Sequence, residues 1–196
     1  MLTIDKVGNS ILFKCKILSD NWEKHCMNDE SVELLRSELL KLGATASRLI
    51  ATESIIVEPW VQLKCRFGCS QYGKYMTCPP YTPPYKETKE LLDSYKTAIL
   101  IEGQPPGKDF KDMLLGIEHR ANFAGFYKAF ALGAGPCPLC SECKVDETCL
   151  KPKEARPSME ACGIDVFGTV RNNGFEIKFL EHKNEYVKYF GLLLLE

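Results

Sequence analysis

A chain of 196 residues that is 45% hydrophobic and 26% charged is long enough to bury one sizeable core. Its net charge of −1 and pI of about 6.3 leave no basic surplus of the kind that nucleic acid or an anionic membrane would require. The longest apolar run, Gly191 to Leu195, falls far short of the ~20 residues of a spanning helix, and the first residues lack the basic stretch of a signal peptide, so a cytoplasmic location is expected.

Ile11 to Leu18 alternates in part and predicts a strand. Ser31 can cap a helix running to Leu42, with Val32, Leu35, Leu39 and Leu42 at helical spacing and Gly43 as its stop. Ala46 to Val57 predicts one or two strands, which Trp60 to Leu63 would extend towards Cys65. Residues 64–85 have no periodicity and hold four prolines and four tyrosines, which predicts a long functional loop. Tyr85 to Tyr95 predicts a helix with Leu91 and Leu92 facing inward. Thr97 to Ile101 predicts a buried strand, followed by a Gly/Pro turn at 103–107. Asp109 to Leu132 predicts a long helix broken near Gly116 or Gly125, leading into Gly133-Ala134-Gly135-Pro136-Cys137. A helix is expected from Arg156-Pro157-Ser158 and another from Ile164 to Phe167, with closing strands at Phe175–Leu180 and Tyr186–Leu195. The fold class is α/β (α+β). One domain is expected over 1–196, with a mixed sheet, packed helices and two cysteine-rich loops at about 64–85 and 134–157.

Ten cysteines are too many for a reducing compartment without a metal role, because disulfides are rare there. Seven of them cluster. The first group is Cys65, Cys69 and Cys78, spaced C-x3-C-x8-C; the second is Cys137, Cys140, Cys143 and Cys149, spaced C-x2-C-x2-C-x5-C. Thiolates are soft ligands suited to zinc, copper(I) and iron–sulfur clusters. Structural zinc sites use two well-separated C-x2-C pairs, whereas the second group approaches the ferredoxin run C-x2-C-x2-C-x3-C-P. It departs in its last gap, so Cys149 either completes its own group or crosses to the first. The first group has three thiolates, and its fourth ligand is Cys149, Cys162 or a non-cysteine group. Its C-x3-C start is only superficially like a radical-SAM loop, whose third cysteine would follow two residues later.

Other residues have plainer explanations. Cys15 fits a buried strand position, Cys26 a surface and Cys162 a core. His119 suits a helix and His182 a solvated turn. Tyr72, Tyr75, Tyr81 and Tyr85 could shield a cluster from water. Arg156 could face a cluster or an acidic side chain. Glu142, Asp146 and Glu147 look like solvated charge.

Cys65-Arg66-Phe67-Gly68-Cys69 with Gly73 and Cys78-Pro79-Pro80-Tyr81, then Cys137-Pro138-Leu139-Cys140 to Cys149, then Ala155 to Ala161 and Gly163 to Val166, resemble a family described as predicted metal-binding proteins of anaerobic bacteria and archaea. The resemblance spans roughly residues 55–195. It implies a bound metal, iron–sulfur before zinc, at the seven clustered cysteines, and it implies no reaction. Three functions stay open. One is a carrier of one or two 4Fe–4S clusters, passing low-potential electrons to a redox protein or enzyme complex. The second is an enzyme with an open iron on the first group. The third is a zinc protein whose metal only folds the loops.

Overall fold

The computed structural model describes residues 20–103, 108–178 and 188–196, with side chains from Asp29 onward. The expected strand at 11–18, Cys15, Cys26 with its neighbour His25, the turn at 104–107 and His182 lie outside the described residues or side chains.

Helix α1 spans Asp20–Lys41, so Ser31 lies inside it rather than at its cap. Val32, Leu35 and Leu39 are buried from its inner face, and Leu42, just past the end, is partly exposed. Gly43 then takes a positive φ of 106° and closes the helix. Strand β1 follows at Ala46–Ala51. The expected strand extension at Trp60 to Leu63 is instead helical: α2 spans Pro59–Gly68, with proline in its first turn, where the missing N–H costs nothing. Helix α3 is Tyr85–Leu92, burying Leu92 but leaving Leu91 exposed.

Strand β2 is Thr97–Gly103, and helix α4 is Lys108–Phe123. Gly116 does not interrupt α4. It stops near Gly125, whose φ of 99° few other residues adopt, and Phe126 N–H reaches back to the Ala121 carbonyl. The last part of the expected helix is therefore strand β3, Phe130–Leu132. A 3-10 turn at Glu160–Cys162 stands where a helix from Arg156 was expected, with Ser158 Oγ accepting the Ala161 N–H at 3.1 Å. Helix α5 spans Val166–Asn172 and is capped by Asp165, which accepts from Gly168 N at 3.0 Å. Residues 175–178 are not strand, and β4 spans Tyr189–Leu194.

The strands run in the order β1-β2-β4-β3, and all three pairings are antiparallel rather than mixed. The fold class is α+β, as expected. One sheet face, through Ile99, Ile101, Ala131 and Leu193, packs on α1 and α4. The other, through Ala98, Leu100, Leu132, Leu192 and Leu194, packs on Met159, Cys162, Ile164 and Val170. Covering both faces explains why β2 and β4 read as unbroken apolar runs. Leu192, Leu193 and Leu194 are each fully buried, worth roughly 1.5–3 kcal/mol apiece. Among the described residues, no helix is long and apolar enough to cross a membrane.

Candidate metal centre

The first cysteine group begins on a helix, not in a loop. Cys65 lies in the last turns of α2 and Cys69 directly follows its end. Their four-residue spacing puts both thiols on one side of the helix terminus. Tight turns then bring Cys78 back: Cys78 N–H donates to Tyr75 O at 2.9 Å, and Gly73 N–H to Pro79 O at 2.9 Å. One side chain that the sequence reading passed over fixes this arrangement. Gln62, on α2, donates to Pro83 O at 3.0 Å and Ala161 O at 3.3 Å, and accepts the Tyr85 N–H at 3.0 Å. The Thr82 hydroxyl adds a 2.7 Å bond to Ala161 O. The loop and the 3-10 turn are thereby tied to α2.

Cys65, Cys69 and Cys78 open on a broad cleft of about 1390 Å³, whose walls include Trp60, Tyr72, Glu160 and Phe167. Burial, then Glu160 and Cys69, push the Cys65 thiol up. Cys78 is pushed up to about 11 by burial and then by Cys69 and Cys65, with Lys111 opposing. The three thiols thus feel one another, and metal binding here must release protons.

The second group lies on a segment whose two ends are pinned together. Gly133 N–H donates to Pro157 O at 2.8 Å and Met159 N–H to Gly133 O at 3.0 Å. Cys137, Cys140, Cys143 and Cys149 all line one small pocket of about 20 Å³, together with Tyr75, Met76, Thr77, Leu139 and Leu150. Cys149 therefore stands with its own group. Tyr75, Met76 and Thr77 come from between Cys69 and Cys78, so the first loop walls the second site.

Two charged groups at this junction escaped the sequence reading. Lys111, buried on α4, donates to Arg156 O at 2.9 Å and lies near both Cys137 and Cys78. Burial, above all, lowers its pKa, while the two cysteines raise it. Glu118, two helical turns further along α4, accepts from Arg156 Nε at 2.7 Å and Nη2 at 2.5 Å and from Ala131 N–H at 2.7 Å. Arg156 thus faces an acidic side chain, with the Phe130 ring 4.9 Å from its guanidinium. Only their helical spacing from Met113, Leu114 and Ile117 hinted that Lys111 and Glu118 were buried.

The remaining candidates separate clearly. Cys162 is 4% exposed within the core and lines neither pocket. His119, Glu142, Asp146 and Glu147 are exposed. Tyr72 lines the cleft and Tyr75 the small pocket, whereas Tyr81 is exposed and Tyr85 packs on the core.

The donor set is thiol, with no histidine in either lining. Among the described residues no three His, Cys, Asp or Glu side chains are gathered closely enough to hold a single metal ion. A tetrahedral zinc would need sulfurs about 3.8 Å apart, from a Zn–S bond of about 2.3 Å. A cubane carries one thiolate on each of four irons and needs them more widely spaced. Buried polar atoms await a partner at both sites: Thr77 Oγ1 beside the small pocket and Glu160 Oε2 beside the cleft. A buried polar group left unpaired is costly, and cluster sulfur or iron would satisfy such atoms.

An α+β scaffold bearing two thiol-lined sites defines a metalloprotein class. The chain belongs to the family of predicted metal-binding proteins (DUF2284), which it matches over residues 48–195. That span contains all seven clustered cysteines, Lys111, Glu118 and Glu160. No curated protein and no solved structure matches the chain.

Proposed function

We propose that this is an iron–sulfur protein holding two 4Fe–4S clusters, which passes low-potential electrons to or within a redox enzyme complex. The observation that carries the reading is the small pocket whose lining holds all four of Cys137, Cys140, Cys143 and Cys149, together with Met76, Leu139 and Leu150. These four would hold one cluster, and Cys65, Cys69 and Cys78 would supply three ligands to the other. A bound cubane supplies one-electron redox chemistry. The chain supplies thiolates, apolar side chains round the second group, and a buried lysine, Lys111, near Cys137 and Cys78. A second reading has its own support: the first group faces a wide cleft, so a substrate could meet a cluster there.

Anaerobic purification with iron, sulfide and zinc quantitation, and electron paramagnetic resonance after reduction, tests this. About eight irons and eight sulfides per chain are expected, four of each per cluster. Zinc without sulfide would overturn the redox reading in favour of a structural zinc protein.

A further inference from the structure

The first cysteine group has three thiols, and the structure removes both cysteines that could have supplied a fourth. Cys149 lines the small pocket with its own group, and Cys162 points into the core among Met159, Ile164 and Val170. Three carboxylates line the cleft: Glu160, Asp165 and Glu176. Asp165 is committed to the α5 cap, and Glu176 is exposed. Glu160 differs from both. Its backbone carbonyl lies 3.9 Å from Cys65 Sγ, and it is the foremost charged neighbour of that thiol. The Ser158 hydroxyl and the residue's own backbone N–H hydrogen-bond its carboxyl, while Oε2 is out of solvent and has no hydrogen-bond partner.

The scaffold holds this carboxylate in place. Glu58 N–H donates to Gly163 O at 2.9 Å, and Gln62 and Thr82 both bond Ala161 O. Gly163, at φ 81°, lets the turn approach Tyr85 so closely that an added Cβ would sit 2.9 Å from the Tyr85 Cβ. The same contacts that seat Cys65 and Cys78 therefore seat Glu160.

We propose that the Glu160 carboxylate is the fourth, oxygen-donor ligand of the cluster held by Cys65, Cys69 and Cys78. This rests on the iron–sulfur reading above. With a cluster bound, the Glu160 carboxylate would supply an oxygen donor to the one iron that lacks a thiolate. That iron is held by the weaker donor, so it is the one most easily exchanged or lost.

The test compares the anaerobically loaded wild-type protein with Glu160→Gln, which keeps the shape but not the carboxylate, and Glu160→Cys, which supplies a thiolate. Iron and sulfide are counted, and electron paramagnetic resonance is recorded after brief oxidation and after reduction. With Glu160→Gln, iron falls from about eight to about seven per chain with sulfide retained, and a three-iron signal rises on oxidation. With Glu160→Cys, iron stays at eight and that signal is suppressed below the wild-type level. Glu160→Gln retaining eight irons, wild-type spectra and wild-type resistance to oxidation would overturn the assignment. A Glu160→Gln protein that loses all first-site iron and sulfide counts for it only if Glu160→Cys restores both, and against it otherwise. A wild-type protein lacking sulfide would instead sink the iron–sulfur reading itself, an outcome visible before either variant is made.

Discussion

The two thiol sites differ in how they are closed. The second gathers four cysteines round a small pocket roofed by Tyr75, Met76 and Thr77 from the other loop. The first sets Cys65 and Cys69 at the end of α2, with Cys78 turned back beside them, and faces a far wider cleft, about 1390 against about 20 Å³. A full ligand set in an apolar enclosure suits a group that exchanges only electrons. A set of only three thiolates beside a wide opening suits one that also meets another molecule. On the proposed function, the second site would be the more enclosed station and the first the more accessible one.

The contrast can be broken most forcefully at Cys140. Cys140→Ser should remove about four irons and four sulfides and spare the first site. Loss of all iron from this single change, read by metal analysis and spectra, would show that the sites do not load separately. Arg156→Met comes next. It leaves Glu118 buried without its ion-pair partner and should cost about 3–5 kcal/mol in thermal or denaturant unfolding. The loss should be seen in the metal-free protein as well, because this pair holds the root of the second loop whether or not metal is bound. The smallest effect is expected at Lys111, which neighbours both groups. Lys111→Met should leave the iron count unchanged and shift the midpoint potentials of both clusters downward, on the order of 50–100 mV for a unit charge acting through an effective dielectric of about 20. A shift confined to one cluster in a redox titration would show that the cation serves only that site.

Much of this was legible in the residues. Val32, Leu35 and Leu39 announce the buried face of α1, and the apolar run around Ile99 announces β2. The C-x2-C-x2-C run brings its thiols together because steps of three curl one short loop. What was hidden depends on distant partners. Trp60 to Leu63 reads as strand from its composition, yet Pro59 makes it the start of a helix. Phe130 to Leu132 carries helical spacing, but Gly125 ends α4 and β4 offers a free edge to pair with. Lys111, Glu118 and Glu160 look like surface charge in a one-dimensional string. Lys111 and Glu118 are interior because the segment at Arg156 folds over them, and Glu160 Oε2 is closed off in the turn that packs on Cys65.

The pinned ends of the second loop bear on how the protein matures. Gly133 is bonded to Pro157 and Met159, and Arg156 is locked to Glu118, by contacts that involve no thiol. The sheet and its flanking helices can therefore form first, presenting an apo loop already tethered at both ends. On the proposed function, cluster insertion would be a local event at a loop already tethered to that scaffold.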